Sequence, residues 1–248
     1  MRREPRSPRP DSIPEPLPAS FYDRSVVTVA RELIGCVLVS HTGPDPVAGR
    51  IVETEAYRHD DAASHAFGGP SVRNAPMFGP PGHAYVYLIY GMYDCFNVVC
   101  GPEEKGDAVL IRAVEPIIGL APLWHNRYGE SLPKALAQME GYAAGTGSTS
   151  GAGRRSTSDA PTERGPASAA RLRARLRNLT SGPGKLCRAF AITRETVNGA
   201  SLQTGPVTVH PGAVAGPVTA SRRIGISKAV GLEWRFVEEG NPFVSRRT

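Results

Sequence analysis

The sequence predicts an α+β fold: a single compact domain in which a curved, mostly antiparallel sheet is surrounded by helices and carries one protruding β-hairpin. Three observations lead there. Runs rich in β-branched and aromatic residues, among them GRIVETEAY, YVYLIYGMYDCFNVV and AVLIRAVEP, read as strands between shorter helical stretches. The hairpin connections are too short for crossover helices, so antiparallel pairing is expected. At 248 residues the chain can also bury an ample core.

Taken in order, residues 1–19 hold six prolines and four arginines with few sizeable aliphatics. Such a composition buries too little surface to offset chain ordering, and predicts a disordered basic arm ahead of a domain spanning 20–248. SVVTVARELIGCVLV predicts a helix from Ser25, a candidate N-cap, through Leu33, stopped by Gly35, then a strand from Cys36 to Val39. After a loop over Pro44–Gly49, GRIVETEAY predicts a strand with Ile51, Glu53 and Glu55 on one face and Val52 and Thr54 on the other. YVYLIYGMYDCFNVV reads as two strands joined at Gly91. Hairpin tips normally end in polar residues because they meet water, yet this one carries Tyr90, Met92 and Tyr93.

AVLIRAVEP, from Ala108 to Pro116, is a further strand with a basic residue at its centre. Pro122 to Gln138 reads as helix broken near Pro133. From about 143 to 170 the chain lacks any large apolar residue and predicts a low-complexity, mobile insertion. Order is expected to resume with the basic helix AARLRARLRNL. SGPGKLCRAFAI then leads into a helix carrying Lys185–Ala191, and VTVH, RRIGIS and EWRF form short strands and turns.

The formal charge of +6 and the pI near 9.3 suit a polyanionic partner without requiring one. No run approaches the roughly 18 apolar residues of a membrane span, and the basic N-terminus has no apolar segment after it, so no secretory signal is read. The cysteines Cys36, Cys95, Cys100 and Cys187 show no C-x-x-C spacing, and buried free thiols are expected. Together these features predict a reduced, intracellular, soluble protein.

Several residues carry two readings each. Glu53 and Glu55 are either a solvated strand face or, beside Tyr57, a catalytic base next to a ring platform. Arg112 is either an edge arginine paired with Glu115 or a buried partner for a carboxylate or a water. His65 is a surface or packing residue, or it joins His59, Asp60 and Asp61 around a metal, although no helical H-x-x-x-H spacing fixes two ligands on one face. Lys185 after Ser181-Gly182-Pro183-Gly184 marks an ordinary loop leading to a helix, or a phosphate grip. Tyr90 and Met92 are packed under a loop or form a wedge between base pairs.

The ordered set GRIVETEAY, a His flanked by A-A and G-G, R-N, M-F, P-G, YVYLIYGMY-x-C-x-N, VLIRAVEP, GPGKLC and RRIGIS…EWRF…NPFVS resembles the alkyladenine (3-methyladenine) DNA glycosylase family from about Phe21 to Ser245, apart from the low-complexity insertion. The resemblance implies that Glu55 is the general base activating a water and Arg112 the residue holding that water with it. Tyr57, His65, Tyr87 and Asn97 would form the pocket for the flipped base. Tyr90 would fill the gap left in the duplex, with Met92 pressing on neighbouring bases, and Lys185 and Arg222 would contact phosphates along with the arm and the Arg171–Arg177 helix. The Tyr57–His65 interval is one residue shorter than the family pattern.

Further implications are a monomeric, monofunctional enzyme of the nucleoid-associated cytoplasm, acting on double-stranded DNA containing damaged purines. No metal or organic cofactor, no membrane and no lyase lysine are expected. The competing expectations are a DNA-binding module without catalysis and a metal-dependent hydrolase using His59, Asp60, Asp61 and His65.

Overall fold

The computed structural model describes residues 13–139 and 166–245. The expected arm up to residue 12 and the expected insertion from 143 to 165 lie outside these. The remainder of both predicted stretches is structured. Leu17 is buried and donates its N–H to the Val209 carbonyl at 2.8 Å, so one aliphatic and one backbone bond hold residues that composition alone assigns to the arm. Residues 166–170 likewise belong to a helix.

The elements run α1 (Ala19–Tyr22), α2 (Val26–Glu32), β1 (Val37–Ser40), β2 (Val47–Tyr57), a 3-10 turn (Ala75–Phe78), β3 (Ala84–Ile89), β4 (Tyr93–Cys100), β5 (Asp107–Ile118), α3 (Leu120–Tyr128), α4 (Lys134–Met139), α5 (Pro166–Arg177), α6 (Pro183–Ala189), α7 (Arg194–Val197), β6 (Val207–His210), β7 (Val218–Ser221) and β8 (Arg235–Glu238). The expected break before Pro133 is present, with Gly129 in the left-handed region ending α3. The strands form one curled antiparallel sheet in the order β3-β4-β5-β2-β1-β6. β8 pairs with the far half of β2, beside β1, and β7 pairs with β8. The α+β architecture is the one the sequence predicts.

Strand alternation builds the two sides of this sheet. Val86, Phe96, Val98, Val109, Ile111 and Ala56 point into the main core, with Val29 of α2 and Leu33 just after it, Leu123 and Trp124 of α3, and Leu186 of α6 and Phe190 just after it. Their neighbours, one residue out of phase, form the opposite side and a second small cluster of Ala66, Met77, Tyr85, Val99 and Ala108. All four cysteines are free and buried.

The strict alternation read for GRIVETEAY does not hold. β2 pairs Ile51 with Val114 but Glu53 with Ala113, and then Thr54 with Ile111. Val52 is therefore an extra residue on β2 and Arg112 an extra residue on β5. Ile51 accordingly joins Val52 in the main core, whereas Glu53 and Glu55 turn towards Arg112. Paired bulges that re-aim side chains are a familiar device beside functional sites.

No helix among the described residues is long and apolar enough to cross a membrane.

Candidate active site

The out-of-phase residues of β3, β4 and β5 line a cavity of about 540 Å³: Tyr85 and Tyr87, Cys95 and Asn97, then Ala108, Leu110 and Arg112. Tyr57 at the end of β2, His65, Arg73 and the Ile224–Lys228 segment add to the wall, with Tyr90 at the hairpin tip. The His65 and Tyr87 rings meet edge-on with centroids 4.5 Å apart, and Tyr85 stacks on Tyr87 at 5.5 Å. The Asn97 amide nitrogen donates to the Tyr85 carbonyl at 3.0 Å and the Cys95 carbonyl at 3.3 Å, which fixes the side chain in the wall.

Glu55 is fully buried and sits one layer behind this surface, held by residues that do face the cavity. Its Oε1 accepts the Ile224 N–H at 2.7 Å. Its Oε2 accepts the Tyr57 hydroxyl at 2.8 Å and Arg112 Nη1 at 3.1 Å. Burial opposes the Arg112 charge, but the carboxylates of Glu55 and Glu53 outweigh it and hold the guanidinium pKa above its ordinary value. Burial, and then the Glu55 carboxylate, push the Tyr57 phenol well above its usual range, so its hydroxyl remains a donor.

Of the two readings of Arg112, the structure selects the buried carboxylate partner. Glu115 pairs instead with Arg50.

Glu53 was legible only as a paired acid. Its Oε1 accepts Arg112 Nε at 2.9 Å, Arg235 Nε at 2.8 Å and the Ser245 hydroxyl at 2.8 Å, while Oε2 accepts the Ser245 N–H at 2.6 Å. These partners come from β8 and the C-terminal segment, too far along the chain for any local pattern. Glu53 thereby anchors the end of the fold beneath the site.

His65 Nδ1 lies 3.0 Å from the Tyr85 hydroxyl. Although the imidazole opens onto the cavity, burial by its walls lowers its pKa below the ordinary 6.5, and Arg73 adds to this. Protonation therefore favours the unfolded chain. The stability contributed by neutral His65 is complete above about pH 6.5 and is lost as pH falls through that value towards the folded one. An NMR titration of Arg73→Gln is expected to move the His65 midpoint upward yet leave it below 6.5, because burial is the larger cause.

The four residues read as a metal cluster are dispersed among other partners. His59 bonds Asp107, Asp60 bonds Arg58, Asp61 bonds Arg223 and His65 approaches Tyr85. Among the described residues no group of three or more metal-ligating side chains occurs.

The hairpin tip projects into solvent, with Tyr90 83% and Met92 66% exposed. Tyr90 (φ 54) and Gly91 (φ 69) are both left-handed, and the Met92 N–H returns to the Ile89 carbonyl at 3.2 Å. Two adjacent positive φ values give the tight hairpin turn that matches strand twist. A bulky residue is strained at the first of them. Behind the tip, a Cβ on Gly184 would sit 2.9 Å from Tyr93 Cβ, so glycine lets the hairpin lie close against the start of α6.

Except for Tyr90, the described residues expected to meet the duplex rather than the flipped base are set apart from the cavity. Met92, Lys185 and Arg222 are outside its wall. Lys185 donates to Asn178 at 2.9 Å, and Arg222 is exposed. Arg175 of the basic helix is engaged with Glu130 at 2.7 Å and lies over the Trp124 and Tyr128 rings. Conversely, Arg73, Tyr85, Ile224 and Lys228 line the cavity without having been singled out. Lys228 is exposed at the cavity wall. The Y-x-Y alternation of β3 was the available signal for Tyr85; the others come from loops with no periodic pattern.

A protein of Methanoculleus marisnigri, provisionally named a 3-methyladenine DNA glycosylase, is 42% identical over 236 residues, covering 93% of this chain and 99% of its own. One of Nitrosospira multiformis with the same name is 42% identical over 229 residues, covering 92% and 93%. A third, of Granulibacter bethesdensis, is 39% identical over 243 residues, covering 95% and 92%. The sequence model of methylpurine-DNA glycosylases matches residues 20–242. The chain belongs to the methylpurine-DNA glycosylase family.

Proposed function

We propose that the protein excises alkylated or deaminated purines, 3-methyladenine foremost and also hypoxanthine and etheno-adenine, from double-stranded DNA by hydrolysis of the N-glycosidic bond. The observation that carries this reading is a buried carboxylate, Glu55, whose donors Tyr57, Arg112 and Ile224 all line one aromatic-walled cavity. A base inside a duplex cannot be reached, and extruding it costs a few kcal/mol. The Tyr57 and Tyr87 faces receive the extruded purine, with His65 at its edge and Asn97 in the wall.

Glu55 and Arg112 orient a water on C1′. That water reaches Glu55 when the flipped nucleotide displaces the Tyr57 hydroxyl from Oε2. The water oxygen bonds C1′ as the bond to the purine nitrogen breaks. The purine leaves with the bonding electron pair, and the water proton passes to Glu55, the logic of an inverting glycosidase. A cationic methylated purine is already a good leaving group, whereas a neutral one requires protonation.

An abasic site is the product. Lys228 is exposed rather than desolvated, so it is not an activated amine nucleophile and the strand stays uncleaved. The protein acts as a monomer in the nucleoid-associated cytoplasm, with Lys185 and Arg222 as sequence-independent phosphate contacts. Incubation with methylated duplex in excess chelator is expected to release free methylated purine and leave an uncleaved abasic strand. Binding without release would leave only a recognition module, and release abolished by chelator would support the metal-dependent reading.

Tyr90 occupies the vacancy in the duplex, with Met92 against the neighbouring bases. Its strained backbone then serves binding at the expense of stability. Tyr90→Gly is expected to stabilise the protein by about 1 kcal/mol in urea unfolding, while weakening capture of the lesion about tenfold or more and leaving undamaged-duplex affinity within about twofold. An unchanged lesion affinity would refute the wedge.

A further inference from the structure

Over the Tyr57 ring, and outside the cavity wall, lies a charge that no part of the proposed chemistry uses. The Arg223 guanidinium sits 4.6 Å from the Tyr57 ring centroid and 5.5 Å from that of Trp234. Its side chain is fully buried. Nη1 donates to the Ala56 carbonyl at 2.9 Å and to Asp61 Oδ2. Nε and Nη2 find no hydrogen-bond partner among the described residues. Ala56 in turn donates its N–H to the Trp234 carbonyl at 2.8 Å, so the layer is strapped to β2 immediately before Tyr57. Asp61 is fixed from its other oxygen, where Oδ1 accepts the Ala63 N–H at 3.0 Å.

We infer that Arg223 is a specificity-determining residue, which through Tyr57 biases the pocket towards neutral purines and against cationic ones, with Asp61 setting the size of that bias. The inference rests on the glycosylase reading of the cavity. A cation is held to an aromatic face by the ring's negative π density. A guanidinium on one face draws on that density and leaves less for a cation on the other. A base stacked on the open face lies about 8 Å from the guanidinium, one aromatic contact distance beyond the ring, where unscreened repulsion in a protein interior is worth about tenfold or more in binding. Asp61 offsets part of it. A neutral base such as hypoxanthine meets no net repulsion. The bias also falls where it is useful, since a cationic alkylpurine departs readily and a neutral one needs the longer residence.

The test is the ratio of the association constant for duplexes carrying methylated adenine to that for duplexes carrying hypoxanthine, measured by fluorescence anisotropy in a Glu55→Gln background, where both bases stay attached and hypoxanthine stays neutral. Release of methylated adenine by the unaltered protein establishes the underlying reading separately, and the inference then depends on the ratio alone. Arg223→Met is expected to raise the ratio about three- to tenfold, because Asp61 is left as an uncompensated negative charge behind the ring. Asp61→Asn is expected to lower it by a similar factor, because Arg223 is left uncompensated while the turn bond to Ala63 is kept.

The double variant returns it to within about twofold of the starting value, and Arg223→Lys, which keeps the charge, holds it there. A purely structural role would depress both substrates together and leave every ratio unchanged, which would overturn the inference. Should Arg223→Met fail to fold, the opposite sign expected of Asp61→Asn decides alone.

Discussion

Glu55→Gln is expected to lower single-turnover release of methylated adenine by about a thousandfold or more while leaving affinity for the damaged duplex within about fivefold. The size follows from two losses. An amide cannot take the proton of the attacking water, a contribution of about 10²–10⁴, and it places no negative charge near the developing positive charge on the sugar. Geometry adds a third. Both Glu55 oxygens accept, Oε1 from the Ile224 N–H and Oε2 from Tyr57 and Arg112. A glutamine amide turned towards Oε1 meets a backbone N–H, and turned towards Oε2 it meets a guanidinium; in either orientation donor faces donor.

Binding is spared because Glu55 has no exposed surface and lies behind the residues that line the cavity. The measurements are a rapid-quench excision assay and fluorescence anisotropy on the same duplex. Excision at near the unaltered rate would remove Glu55 from the chemistry, and a parallel collapse of binding would mean that the substitution had disturbed the cavity wall instead.

Much of this site was legible because a sheet repeats every two residues. Tyr85 and Tyr87, Asn97 two after Cys95, Arg112 two after Leu110, and Tyr57 two after Glu55 all fall on one side by strand alternation, and adjacent antiparallel strands bring them to one cavity. The aromatic tip at Tyr90 was legible through its composition. What escaped was set by residues remote in the chain. The bulges at Val52 and Arg112 are properties of a strand pair, invisible in either strand alone. The donors to Glu53 arrive from Arg235 and Ser245, and the charge beneath Tyr57 arrives from Arg223. Lys228 enters the cavity wall from a turn with no periodicity. The phosphate-contact expectation at Lys185 came from the small residues that open its helix, and Lys185 and Arg222 both lie outside the cavity wall.

Arg112 is where the fold and the site depend on the same atoms, and its replacement has the largest expected structural effect. Its Nε and Nη1 bridge Glu53 and Glu55, two fully buried acids that alternation on a single strand would set beside one another with nothing to neutralise them. Because Arg112 is the extra residue of the β5 bulge, its carbonyl is free to accept the Gly182 N–H at 2.9 Å, and Ala113 bridges Ser181. The segment leading to α6 is thereby fastened at the same point. Arg112→Met keeps the volume and the backbone bond but strands the carboxylates.

Glu53 retains Arg235 and the Ser245 donors. Glu55 retains only the Ile224 N–H and the Tyr57 hydroxyl, so the uncompensated charge resides chiefly on the proposed base. Breaking a buried pair from one side costs about 3–5 kcal/mol, which urea unfolding would detect as a lower midpoint with an unchanged slope. Adding Glu55→Gln to Arg112→Met should restore much of that stability, since the stranded charge is removed, yet restore none of the activity. A double variant no more stable than Arg112→Met would show that the loss came from packing, and one that regained excision would show that Glu55 was never the base.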